Sequence, residues 1–154
     1  MKNNNLIEEL TKIESGRYGE ISVARKFIHY GIPVYQPVLD NGVDLLVELN
    51  GRLQKVQVKS SRQIDYDSKG NEIVTFSLYK SKRKLQNSKY LSESIKYSNT
   101  DIDLFALYDV NNDKIYSLNR KDYNHESITI KNGYHINNDI SFDNVIKQYL
   151  TNKE

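Results

Sequence analysis

Apolar positions recur every three or four residues at the two ends of the chain and every second residue between them. Leu6, Ile7, Leu10 and Ile13 predict a helix over residues 5–14, interrupted at Ser15-Gly16. Tyr18, Ile21, Ala24, Phe27 and Ile28 predict a second helix from about Arg17 to Tyr30, ended by Gly31-Ile32-Pro33 because glycine suits a C-terminal cap and proline cannot continue the helix. The period then changes to two. Val34-Tyr35-Gln36 reads as a short strand, and Val43 to Leu49 as a mostly apolar one of the kind found inside a sheet. Asn50-Gly51 is a strong signal for a two-residue type I′ hairpin, returning the chain as a strand over Leu53–Ser60. Further strands are predicted over Glu72–Tyr79, Asp103–Val110, Lys114–Leu118 and Ser127–Ile130, and a closing helix over Ser141–Leu150 with Phe142, Val145, Ile146 and Leu150 inward. Residues 61–70 are polar turn material, and residues 80–100 read as a long loop or surface excursion. This order predicts an α/β fold, a central mixed β-sheet flanked by helices, in a single domain over residues 1–154 with no internal repeat.

Composition narrows the chemistry. A chain of 154 residues can bury a real core, and 38% hydrophobic residues suffice for it to fold. There is no cysteine, so disulfides, thiolate catalysis and cysteine-bound zinc are excluded. Met1–Asn5 has no apolar stretch behind it and no run approaches the ~20 apolar residues that cross a bilayer, so a cytoplasmic protein without membrane contact is expected. The net charge of +2 is small, but residues 52–96 hold 11 Lys/Arg against 4 Asp/Glu while the remainder is acidic. Either a solvated face or a footprint for a polyanion accounts for that asymmetry. His29, His125 and His135 have no metal-ligand spacing, no serine sits in a nucleophile elbow, and no phosphate-binding glycine loop followed by Lys and Ser or Thr exists, so no nucleotide cofactor is expected.

The hairpin at Asn50-Gly51 sets residue 49 opposite 52, 47 opposite 54 and 44 opposite 57. Asp44 and Gln57 therefore face each other across two strands, and Lys59 shares the face of Gln57. Three polar side chains among Val43, Leu45, Val56 and Val58 need a reason. One reading is an internal Asp44–Lys59 salt bridge with Gln57 bonded to backbone. The other is phosphodiester hydrolysis, in which a hard divalent cation takes oxygen from Asp44, Gln57 and the Val58 carbonyl, Lys59 orients water and offsets phosphate charge, and Glu20 adds a carboxylate from the preceding helix. Mg²⁺ suits such a site because it binds through few protein ligands, with Mn²⁺ as its substitute.

The stretch Gly19-Glu20, Gly31-Ile-Pro-Val, Gly42-Val-Asp44-Leu-Leu-Val47 and Val56-Gln-Val-Lys59-Ser-Ser, followed by Asp103-Leu-Phe-Ala-Leu-Tyr108 and Ile115-Tyr116, resembles the PD-(D/E)XK nuclease superfamily. It is most similar to the group I intron-associated, or homing, endonucleases that write the last motif as Q-x-K. The resemblance spans roughly residues 16–118 and implies a restriction-endonuclease-like core, Mg²⁺-dependent cleavage of double-stranded DNA, and a homodimer or homotetramer. It carries over Glu20, Asp44, Gln57 and Lys59. Two departures stand out: Gln57 replaces the commoner acid, and Val43 rather than proline precedes Asp44, leaving Asp40 as a rival acidic position. Arg62, Lys80, Lys82, Arg83 and Lys84, with Tyr79 and Tyr90 nearby, are the candidate DNA contacts. A Holliday-junction resolvase-like enzyme and a DNA-binding protein that no longer cuts share these features and stand as alternatives.

Overall fold

The computed structural model describes residues 12–38, 42–135 and 139–151, so the helix expected over residues 5–14 lies largely outside the described residues. The first helix, α1 (Lys12–His29), runs without a break through Ser15-Gly16, where the sequence predicted an interruption. It ends at Gly31, whose φ of 72° and N–H bond to the Ile28 carbonyl (2.8 Å) form the expected left-handed cap. Ten strands follow before the closing helix. They are β1 (Val34–Tyr35), β2 (Leu45–Leu49), β3 (Arg52–Ser61), β4 (Asp65–Tyr66), β5 (Glu72–Ser77), β6 (Tyr79–Gln86), β7 (Lys89–Lys96), β8 (Leu104–Asp109), β9 (Lys114–Asn119) and β10 (Ser127–Lys131). Helix α2 (Phe142–Thr151) closes the order. Among the described residues no helix is long and apolar enough to cross a membrane.

The central sheet has the order β1-β2-β3-β8-β9, mixed because β8 runs parallel to β3 while the other pairs are antiparallel. Its two faces are covered differently. One packs Leu45, Val47, Val56, Val58, Leu104 and Ala106 against Val23 and Phe27 of α1 and Phe142, Val145 and Ile146 of α2, while Leu150 is partly exposed. The other packs Phe105, Leu107, Tyr116 and Leu118 against Val74 and Phe76 of β5 and Ile128 and Ile130 of β10, which belong to a second sheet of order β10-β5-β4. The expected mixed sheet with flanking helices is present, and both helices lie on one side of it.

Residues 80–100, read from sequence as a loop, form instead a two-stranded ribbon, β6–β7, turned at Asn87-Ser88. Both turn residues have positive φ (50° and 60°), the signature of a type I′ turn. No alternation of apolar and polar residues betrayed it, because polar residues occupy both faces, Ser81, Ser92 and Ser94 on one and Lys80, Gln86 and Glu93 on the other.

Helix α1 also corrects its predicted apolar stripe. The buried positions are Ser15, Gly19, Val23 and Phe27, one every four residues, whereas Tyr18, Ile21 and Ile28 are exposed. Small residues win these places because α1 lies very close to β3. A Cβ on Gly19 would stand 1.8 Å from Ser60 Oγ and 3.2 Å from Ser60 Cβ. Val23 and Phe27, fully buried on the same stripe, each contribute about 1.5–3 kcal/mol.

Gly19→Ala therefore forces the helix and β3 apart. It is expected to cost about 1–3 kcal/mol, lowering Tm by roughly 2–4 °C for each kcal/mol in a thermal melt. Ser60→Ala should recover most of that loss in the double variant, since Ser60 Oγ is buried without a partner. Equal Tm values for Gly19→Ala and the native chain would contradict the close approach.

Candidate active site at the end of the central hairpin

The turn at Asn50-Gly51, both at positive φ, produces the register expected from sequence: Leu49 opposite Arg52 and Val47 opposite Gln54. The ladder stops at Leu45–Val56, with one more bond from the Asp44 N–H to the Val56 carbonyl (3.0 Å). Beyond that point β3 runs on to Ser61 with no β2 residue beside it. The Asp44 side chain replaces the missing strand. Its Oδ2 accepts the Val58 N–H at 2.8 Å and the Gln57 Nε2 hydrogen bond. A strand residue presents its N–H and C=O to the same neighbour, so the Val58 carbonyl also faces this flank, where Gln57 Nε2 approaches it at 3.3 Å.

Gln57 is 7% exposed, and its Oε1 is buried with no hydrogen-bond partner. A buried carbonyl-type oxygen left without a donor costs about 1–3 kcal/mol, unless something electropositive meets it. Its neighbours across β8 are apolar, since Gln57 pairs with Phe105 and Lys59 with Leu107, both buried. Lys59 Nζ donates to the Tyr79 carbonyl (2.5 Å) and sits 5.3 Å from the centre of the Tyr97 ring. Lys80 Nζ lies 5.4 Å from the same ring and bonds to Asp101 Oδ2 at 3.0 Å. That ammonium and the Ser98 N–H hold the Asp101 carboxyl below its ordinary pKa, with the backbone bond the larger cause.

Asp44, Gln57 and Lys59 are thus gathered at one place. Glu20 belongs to α1, which covers the other face of the sheet. Its carboxylate is paired with Arg17 at 2.7 Å and is largely shielded, with 16% of the side chain exposed. Tyr18 packs on Tyr108, and Tyr18, Ser22 and Lys26 line a cleft of about 570 Å³ with Ile115 and Tyr116 of β9. That flank of α1 faces β8 and β9, so Gly16, Glu20 and Ala24 occupy the flank facing β2. Glu20 follows Gly19, which rests on Ser60. The 570 Å³ cleft is elsewhere, and none of Asp44, Gln57 and Lys59 lines it.

Arg62 follows β3 directly, and its carbonyl accepts from Asn111 Nδ2 at 2.5 Å. Lys82, Arg83 and Lys84 are positions of β6, with side chains outside the described residues, as are the side chain of Tyr90 and the rival acid Asp40. Tyr97 and the Tyr79 carbonyl escaped the sequence reading. Tyr97 lies 38 residues from Lys59 in the chain, and only the return of the β6–β7 ribbon brings it back.

The donor set fits a hard divalent cation. Asp44, Gln57 Oε1 and the Val58 carbonyl offer oxygen only, and the orphaned Oε1 is the group a cation would satisfy. Among the described residues no cluster of three or more His, Cys, Asp or Glu side chains is assembled for a metal.

Comparison with known proteins agrees with this fold. Residues 11–145 match the family described as PD-(D/E)XK endonuclease. A solved structure of a bacterial homing endonuclease, I-Ssp6803I, superposes with a TM-score of 0.64 at 18% identity, covering 94% of this chain and 99% of that one. No curated protein matches the sequence.

Asp44→Ala removes the acceptor of the Val58 N–H and should destabilise the fold by about 1–3 kcal/mol. Asp44→Asn retains an acceptor oxygen and should melt close to the native chain. Chemical denaturation of the three proteins checks this, and an Asp44→Ala protein as stable as Asp44→Asn would contradict the capping role.

Proposed function

We propose that this chain, which belongs to the PD-(D/E)XK endonuclease family, is a metal-dependent enzyme that hydrolyses phosphodiester bonds of double-stranded DNA. Asp44, Gln57, Lys59 and Glu20 would be its catalytic groups. The observation that carries this reading is the buried, partnerless Gln57 Oε1 beside the Asp44 carboxylate, at the point where β2 stops and β3 continues. In a protein interior an oxygen in that condition favours a cation over a vacancy.

Asp44, Gln57 Oε1 and the Val58 carbonyl would hold the ion, with Glu20 completing the set from above once it exchanges its Arg17 partner. Mg²⁺, or Mn²⁺ in its place, would supply Lewis-acid polarisation of the phosphate and a lowered pKa for the attacking water. The chain's own residues do the rest. Lys59 presents a compact positive charge with rotatable donors, which can orient water and stabilise charge on the transferring phosphate. Its hold on the Tyr79 carbonyl and the Tyr97 ring keeps the ammonium beside the site rather than in solvent. The neutral Gln57 lowers the negative charge around the ion relative to a second carboxylate, so a weaker metal affinity is expected of it.

Arg62, Lys80, Lys82, Arg83 and Lys84 would meet the DNA backbone. The exposed Tyr18, Ile21 and Ile28 of α1 support an assembly of two or four copies. The homing endonuclease it resembles in fold makes a DNA target of defined sequence the first to try.

Supercoiled plasmid with Mg²⁺ or Mn²⁺ tests the reading. Nicking should appear, vanish with EDTA, and fall by about 10²–10³ in Lys59→Ala and in the folded Asp44→Asn variant. Gln57→Glu should keep activity and need less metal. Equal cleavage by all four proteins, or none by the native chain with either metal, would sink the proposal.

A further inference from the structure

Among the described residues the β6–β7 ribbon pairs with no third strand, and Leu85 to Lys89 at its tip are exposed. Its register is unbroken from Tyr79–Lys96 at the base to Gln86–Lys89 at the tip. Eight residues per strand give it a length of about 25 Å. The segment 79–96 carries six Lys/Arg (Lys80, Lys82, Arg83, Lys84, Lys89, Lys96) and a single acid, Glu93, in a chain whose total net charge is +2. So the basic excess lies on one projecting element and the body of the molecule is net acidic.

The base of the ribbon is fastened to the candidate site. Tyr79 opens β6, and its carbonyl is the acceptor for Lys59 Nζ. Lys80, the next residue, shares the Tyr97 ring with Lys59. Tyr97 itself follows the last residue of β7 and is buried. Both strands therefore enter and leave at the catalytic lysine. Further out, the exposed Ser81 stands opposite the exposed Ser94, and the exposed Ser92, two residues before Ser94, lies on the same face of the ribbon. A surface of serines keeps the ribbon thin where it would approach a partner closely, and hydroxyls both donate and accept.

We propose that β6–β7 lies in the major groove of the DNA duplex as a two-stranded reading ribbon, with its base placing Lys59 at the adjacent phosphate. Dimensions and charge both fit this occupant. The major groove of an undistorted duplex, about 12 Å wide and 8.5 Å deep, admits a two-stranded β-ribbon, whereas the minor groove, about 6 Å wide, takes one only when the DNA is bent or opened at an energetic cost. Lysines along the ribbon meet the phosphates that line the groove, while Ser81, Ser92 and Ser94 lie against base edges. The inference rests on the nuclease reading above and adds to it the groove, the reading element and the link between reading and cutting. Because Lys59 is bonded to the ribbon's first peptide, seating the ribbon positions the lysine as well.

Methylation-protection footprinting tests it with the full native chain on a duplex selected by that chain from a randomised pool in Ca²⁺. Dimethyl sulfate attacks guanine N7 in the major groove and adenine N3 in the minor groove. The expected result is protection of N7 across several consecutive base pairs, with N3 reactivity unchanged. A ribbon-shortened variant supplies the second measurement. Replacing Arg83–Ser92 by Asn-Gly keeps Lys82 opposite Glu93 and removes Arg83, Lys84 and Lys89. The slope of log affinity against log salt should then fall by roughly 3, and the N7 footprint should disappear. Protection at adenine N3 alone, or an identical footprint from the shortened protein, would overturn the groove assignment even if native protein nicks plasmid. Native protein that neither selects a duplex nor nicks plasmid would overturn the nuclease reading and this inference with it.

Discussion

Between Leu49 and Arg52 the chain reverses in two residues, Asn50 and Gly51, both in the left-handed region. A two-residue turn of this kind fixes strand register, and a slip of one residue would send every side chain of β3 to the opposite face. Val56 and Val58 would then leave the helix-covered core, and Gln57 and Lys59 would enter it. The apolar core on one side and the polar cluster on the other therefore hold the same register from two directions. Asp44 opposite Gln57 is a consequence of the turn, thirteen residues of chain folded back at one point.

The unequal lengths of the two strands matter as much. β2 has five residues and β3 ten, so half of β3 loses its hairpin partner on that side. Asp44 meets the first unpaired N–H with its carboxylate, which satisfies a group that would otherwise be lost from the ladder. The same substitution puts a negative charge at the strand's open flank, next to the buried amide of Gln57. Structural capping and candidate catalysis thus draw on one side chain. That dual use explains why a polar group can be tolerated beside buried Phe105 and Leu107.

Around this flank the remaining elements act as supports. α1 reaches it because Gly19 permits contact with Ser60. The parallel pairing of β3 with β8 closes the other side of Gln57 and Lys59 with apolar residues. The ribbon returns the chain to Tyr97 and so gives Lys59 a carbonyl and a ring to rest on. Its own stability cannot come from a core of its own, since an isolated two-stranded hairpin is marginal in water. Anchoring at its base by Lys59, Lys80, Asp101 and the Lys96 bond to the Asn124 carbonyl (2.7 Å) supplies what packing does not.

The sequence by itself determined what depends on local chain chemistry. Asn50-Gly51 dictated a hairpin and its register, and with it the meeting of Asp44, Gln57 and Lys59. Gly31 dictated the end of α1, and the apolar runs at 104–109 and 142–146 dictated a buried strand and a closing helix. Tertiary structure alone decided the rest. The stripe of α1 that faces the sheet is Ser15, Gly19, Val23 and Phe27, because the limit there is closeness to β3, and periodicity counts hydrophobicity rather than available space. The ribbon of residues 79–96 left no alternation to read, since a strand solvated on both faces has no need of one. Tyr97 at Lys59 is a meeting across 38 residues. Such contacts are set by how layers stack, and no spacing along the chain encodes them.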